Sequence, residues 1–388
     1  MPLPLKRITQ DISSLQERVY DIGNFPHVLA DSESKARYLG VVRPTTTSTD
    51  LNNAHTPRLQ REPRHPWHRE TTTLAADSPP RPDPSRIWAV LVGIDGYSSY
   101  PLRGCVADAL AVKQYLVEDL LVPKDRIQSL LGSMNHRDTS PTDVTSIPSR
   151  ENILSVLLSL ITNPDIERGD PIIIFFAGHG SRYAMSDYDD DEDSDFDEDG
   201  HSHKFVEALC PIDRNTRDSR GALIPDISDR ELNIILSQIS RTKGHQITFI
   251  LDCCHAGGVT RTLSSRVRTA PPLEGISLKD MLLAAKALKD LPGYQSLFAE
   301  DWVPDMDSHV IVAACRENEV AKAKRTKKEK GTEVWRGVFT SLLIETLRSG
   351  VLGEGATYVD LIKALPRLRF QTPIVAGGHE NTRLWYQD

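Results

Sequence analysis

Long apolar runs are missing from this chain. None of its 388 residues lies in a stretch approaching the roughly 18 apolar residues of a membrane-spanning helix, so no membrane span is expected. Met1 to Gln10 carry Lys6 and Arg7 without an apolar stretch after them, so no secretory signal is expected. Cysteine is scarce. Five residues, an odd number without framework spacing, exclude a disulfide scaffold and fit free thiols in a reducing compartment. An excess of positive charge is lacking as well: 46 Lys and Arg against 54 Asp and Glu leave a net charge of −8. That balance argues against general nucleic-acid binding. The expectation is a soluble, cytoplasmic protein long enough for one or two domains and a sizeable core.

What is present divides at about residue 85. Pro44 to Pro84 is rich in Thr, Pro, Asp and Arg without a hydrophobic period, and reads as a disordered linker. Before it, Leu5, Ile8, Ile12, Leu15, Val19 and Ile22 recur at spacings of three and four, an amphipathic helix. It either docks on its own domain or binds a partner. From Arg86 strands and helices alternate, the pattern of a parallel α/β sheet. Ile87–Ile94 and Ile127–Leu131 read as strands, Cys105–Leu120 as a helix, and Arg150–Ile161 as a helix capped by Ser149. Helix Asp229–Ile239, strand His309–Ala314 and helices Val338–Leu347 and Tyr358–Leu365 follow. Between Asp187 and Asp199 ten of thirteen residues are acidic, which reads as an extended, wet segment. Val259–Pro304 reads as a linker whose first part, with Arg261, Arg266 and Arg268, is exposed; the basic stretch Lys322–Lys330 reads as a solvated turn.

Two apolar runs end in reactive side chains. Ile172–Phe176 leads into Ala177-Gly178-His179-Gly180, and Ile247–Leu251 into Asp252-Cys253-Cys254-His255-Ala256-Gly257-Gly258. Both read as buried strands. Sites in open parallel sheets form at the carboxyl ends of strands, so His179 and Cys254 are expected at one sheet edge. A thiol titrates at about 8.5 in isolation, and a neighbouring imidazole can take its proton and later protonate a leaving amine. The N–H groups of Gly180 and Cys254 are candidates to bind the oxyanion of an acyl-transfer intermediate. The turn after Cys254 is expected to leave that thiol accessible, with Cys253 on the opposite face. Cys105, Cys210 and Cys315 read as small buried hydrophobes. His201-x-His203 with the Cys253-Cys254-His255 run matches no standard zinc module.

These segments resemble the caspase-fold cysteine peptidases, and within them the metacaspases and related fungal caspase-domain proteins. Leu102–Ala109, Glu207–Asp213, Ile227–Leu232 and Gln371-Thr372-Pro373 extend the resemblance, which runs from about Arg86 to the C-terminus. It implies a three-layer αβα sandwich around a mostly parallel six-stranded sheet. It further implies a large-subunit-like part at 86–258, a linker at 259–304 and a small-subunit-like part at 305–388. Cys254 would be the nucleophile and His179 the general base and acid. Asp108 and Asp252 would form an acidic pocket that selects Arg or Lys before the scissile bond. Read from the chain alone, Asp108 is equally a helix N-terminal residue favoured by the macrodipole. The Arg residues after the cysteine strand, read as exposed, point to self-cleavage within Val259–Pro304; the resemblance implies a link to programmed cell death and protein clearance.

No cofactor is required for that chemistry, but the resemblance implies calcium as an activator. Asp229 matches one acidic position, whereas Arg230 stands where a second acid is usual. Asp195, Asp197, Asp199 and Gly200 have the spacing of an EF-hand loop start, with Val206 at the twelfth position and Glu207 one residue late. The alternative there is a solvated acidic loop. The expected partners are protein or peptide substrates, with no nucleic acid and no membrane. The rival to a peptidase is a catalytically weak caspase-fold module that recruits partners through the Leu5–Ile22 helix.

Overall fold

Three strands are buried along nearly their whole length: β1 (Trp88–Ile94), β3 (Ile172–Ala177) and β7 (Ile247–Asp252). A strand covered on both faces has no use for alternating polarity, which is why these segments read as continuous apolar runs. The computed structural model describes residues 83–134, 146–185, 205–254, 267–299, 302–316, 319–327 and 333–386. The expected Leu5–Ile22 helix, the linker after it, the acidic run with Asp195, Asp197 and Asp199, the pair His201 and His203, and Arg261 and Arg266 lie outside the described residues.

With β2 (Ile127–Gly132), β8 (Val310–Ala313) and β11 (Ile374–Ala376), these strands form a six-stranded sheet in the order β11-β8-β7-β3-β1-β2. All pairs are parallel except β11 on β8. Helix α1 (Cys105–Glu118) packs on β1 and meets α5 (Val338–Arg348), which meets α6 (Tyr358–Ala364). Helices α2 (Arg150–Thr162) and α3 (Asp229–Lys243) pack together as a second group. The fold is an α/β sandwich around a mostly parallel six-stranded sheet. Gly93 lets α1 lie close on β1: a Cβ there would stand 2.7 Å from the Cys105 carbonyl oxygen and 2.9 Å from the Ala109 Cβ. The helix starts follow local chemistry. Ser149 accepts from the Asn152 N–H and Ser228 from the Glu231 N–H, the side-chain caps that leave fewer orphan donors.

Two smaller sheets decorate the carboxyl edge. Strands β4 (Gly180–Ala184), β5 (Phe205–Leu209) and β6 (Ile227–Ser228) form an antiparallel sheet. Strands β9 (Ala323–Lys327) and β10 (Glu333–Gly337) form a hairpin. The solvated turn expected over Lys322–Lys330 is therefore corrected: its described part is strand, because each residue from 323 to 327 finds a backbone partner in β10. The interval 259–304 also contains a helix, α4 (Leu278–Ala284), started by a capping box of Ser277 and Asp280. Among the described residues no helix is long and apolar enough to cross a membrane.

Candidate active site

Register decides what meets at the edge. Ala177 pairs with Asp252 across β3 and β7, so the residues that follow, His179 and Cys254, leave the sheet side by side. The His179 backbone N–H donates to the Tyr97 hydroxyl at 2.9 Å, and that hydroxyl donates to the Cys210 carbonyl at 2.9 Å. The Tyr97 ring lies against the imidazole with centroids 4.7 Å apart. His179 Nε2 meets the Tyr100 carbonyl oxygen at 2.7 Å. A carbonyl only accepts, so Nε2 carries the proton and Nδ1 is left with a lone pair. Tyr100 holds a positive φ of 58° to present that carbonyl. Nδ1 is buried and has no hydrogen-bond partner. Burial pulls the imidazole down to about 4, so it is neutral at physiological pH.

The Cys254 side chain is held on the other side. Its Sγ donates to the Ala321 carbonyl at 3.4 Å and accepts from the Ala321 N–H at 2.5 Å. Cys315 stands next to it, donating to the carbonyls of Cys253 at 3.7 Å and Glu319 at 3.6 Å. A hydrogen bond with Cys254, and then burial, push the Cys315 thiol far up. The accessible thiol expected from the turn sequence is corrected: Cys254 is fully buried. The cover is the chain itself. Arg268 N–H donates to the Ala321 carbonyl at 3.3 Å, Val267 bridges Lys322, and Thr269 bridges Gly180. The segment 267–269 thus lies extended in the site, paired on both edges like an added strand.

The carbonyl oxygen of Arg268 accepts from two N–H groups, Gly180 at 3.1 Å and Cys254 at 3.0 Å. Two converging backbone donors on one carbonyl oxygen are the arrangement that stabilises negative charge there. The Arg268 side chain runs into a pocket bounded by Asp108, on the first turn of α1, and Asp252, at the end of β7. Its guanidinium pairs with Asp108 through Nη2, with Asp252 Oδ2 through Nη1 at 2.8 Å, and with the Asp252 carbonyl at 3.0 Å. The expectation of an exposed Arg268 is therefore corrected: two buried carboxylates hold it inside. The N-terminus of α5 closes the pocket. Gly337 N–H donates to both Asp108 oxygens, and Thr340 donates to Asp252 Oδ2 through Oγ1 at 2.5 Å and N–H at 3.3 Å. Burial pushes Asp108 up to about 7, with Arg268 opposing and Asp252 reinforcing the shift. Cys253 is buried apart from this pocket, and Cys105 and Cys210 are buried too.

Tyr97, the Tyr100 carbonyl, Ala321, Gly337 and Thr340 escape a reading of the sequence. None belongs to a reactive motif, and three of them act through backbone atoms. The calcium candidate Asp229 is half-buried at the start of α3 and accepts from the Arg230 N–H at 2.7 Å. Burial and then Glu207 push it up to about 7. The Arg230 guanidinium takes the carbonyls of Leu297 and Ala299. Among the described residues no group of three or more His, Cys, Asp or Glu converges. Asp229 thus has Glu207 and Arg230 as charged neighbours, and the other calcium candidates, Asp195, Asp197 and Asp199, lie outside the described residues.

Residues 88–262 match the family model for the metacaspase, peptidase C14 domain. Metacaspase-3 of Arabidopsis thaliana is 32% identical over 172 residues, which are 44% of this chain and 40% of that protein. Metacaspase-1B of Aspergillus terreus is 31% identical over 171 residues, 44% of this chain and 38% of that one. Metacaspase-1A of Aspergillus oryzae is 28% identical over 258 residues, 64% of this chain and 53% of that one. The alignments thus span about half or less of each relative's length. The segment that is similar to the metacaspase, peptidase C14 domain runs through both His179 and Cys254, which stand at adjoining strand ends.

Proposed function

We propose that this domain is a cysteine endopeptidase that cuts after Arg or Lys and processes its own chain between Arg268 and Thr269. One observation carries the reading: a buried arginine, paired with two carboxylates, presents its carbonyl oxygen to two backbone N–H groups beside Cys254. His179 Nδ1 takes the Cys254 proton, and the thiolate attacks the Arg268 carbonyl carbon. Negative charge builds on the oxygen held by the Gly180 and Cys254 N–H groups. The C–N bond breaks as the imidazolium returns its proton to the Thr269 nitrogen, leaving a thioester. Water then attacks that thioester, giving its proton to His179 and releasing the Arg268 carboxylate and the Cys254 thiol. Substrates in trans would use the same pocket, where bidentate carboxylates favour Arg or Lys over Asp.

The second reading, a catalytically weak interaction module, has one observation on its side. The thiol is bonded to Ala321 while Nδ1 makes no hydrogen bond, so nucleophile and base are not joined in the resting chain. Hydrolysis of fluorogenic Arg-, Lys- and Asp-ending peptides by wild type and Cys254→Ala separates the two. The expected result is Arg and Lys turnover lost in Cys254→Ala, with a new N-terminus at Thr269 in wild type. Cleavage of Asp peptides alone would overturn the specificity, and activity retained in Cys254→Ala would overturn the nucleophile. No cleavage in either calcium or chelator would favour the interaction module.

A further inference from the structure

Gly337 occupies a position where the backbone does not ask for glycine. Its φ of −59° and ψ of 137° are open to any residue. The demand comes from space. A Cβ at Gly337 would stand 2.3 Å from Asp252 Oδ2, 2.8 Å from Asp108 Oδ2 and 2.9 Å from Arg268 Nη1. Each carboxylate is tied by hydrogen bonds on this side, though Asp252 Oδ1 makes none. Asp252 Oδ2 is held by Thr340 through Oγ1 at 2.5 Å, and Asp108 by the Gly337 N–H at 3.0 and 2.8 Å. A methyl group here would therefore press on both carboxylates and on the outer end of an arginine that fills the pocket.

We infer that Gly337 sets the depth of the pocket and with it the preference for arginine over lysine. The inference rests on the proposed Arg/Lys-directed peptidase and adds a specificity-determining residue to it. Lysine is one bond shorter: its ammonium falls where the guanidinium carbon of arginine lies, short of the nitrogen that meets the added methyl. A pocket shortened by one carbon keeps room for lysine and loses it for arginine. Discrimination on the scale of a single methylene in a pocket is roughly tenfold or more.

The test compares kcat/KM for matched Arg- and Lys-ending peptides in wild type and Gly337→Ala. The ratio within one preparation does not depend on how much of the protein is active. An Arg-to-Lys ratio lowered about tenfold or more is expected. Parallel loss of both activities, or no change in the ratio, would overturn the inference while leaving the peptidase standing. Wild type that cuts neither peptide would overturn the peptidase reading and remove this role with it. A second measurement needs no turnover. In the full-length Cys254→Ala chain, Gly337→Ala should lower the thermal midpoint by more than it does when Arg268→Lys is also present. An equal loss in the two backgrounds would overturn the inference, because the methyl would then not be meeting the arginine.

Discussion

Arg268 is a single buried cation between two carboxylates, and its removal isolates the charge most costly to leave unpaired. Breaking a buried pair by deleting one partner costs about 3–5 kcal/mol, far more than the pair itself is worth against an apolar substitute. Arg268→Ala, made with Cys254→Ala to keep the chain intact, should lose that amount in urea unfolding. An unchanged midpoint would mean that the carboxylates take up protons or water without cost. The same side chain shows where sequence reading runs short. Nothing in Ser265-Arg266-Val267-Arg268-Thr269 distinguishes a buried arginine from its exposed neighbours, because the partners lie 160 and 16 residues away in the chain. His179 and Cys254 were legible for the opposite reason: each follows an apolar run that can only be a covered strand.

At the level of elements, the strands and helices of the central sandwich follow from local pattern, and the decorations do not. Helix α2 begins where Ser149 caps it, accepting from the Asn152 N–H at 3.2 Å. Ser149→Ala should cost about 1 kcal/mol, read as a lower thermal midpoint; a loss within error would mean that water replaces the cap. The antiparallel strands β4, β5 and β6 and the hairpin of β9 and β10 were not readable. Their sequences are short, mixed and charged, as in Lys324-Arg325-Thr326-Lys327, and they become strands by finding each other. The pocket is built where these two kinds of element meet. Asp108 and Asp252 come from the legible sandwich, while the Gly337 that closes on them ends a hairpin that pattern alone does not reveal. Helix α5 was legible, but its N-terminus, presented to two distant carboxylates, required the tertiary structure.

For the whole molecule, buried titratable groups pull stability in opposite directions with pH. His179 and His309 are each held down to about 4 by burial, against 6.5 for the free side chain. The unfolded chain takes their protons first, so their contribution is present above about 6.5 and is lost as pH falls toward 4. Asp108 and Asp229, each pushed up to about 7, behave in reverse: their contribution is present below about 4 and is lost as pH rises through 7. His309 lies outside the pocket and bonds Ser308 Oγ at 2.7 Å, so it isolates one side of this balance. Between pH 7 and 5, His309→Gln should lose less stability than wild type by about 2 kcal/mol, measured by urea unfolding at both values. Equal losses would show that His309 titrates normally in the fold. The placement of segment 267–269 has a last consequence. Because Arg268 belongs to the same chain as the pocket it fills, a peptide substrate of the proposed peptidase would meet a tethered competitor, with an effective concentration on the order of millimolar for a short connection. A free peptide of equal intrinsic affinity at micromolar concentration is outcompeted about a thousandfold on that scale, and diluting the protein does nothing to relieve it.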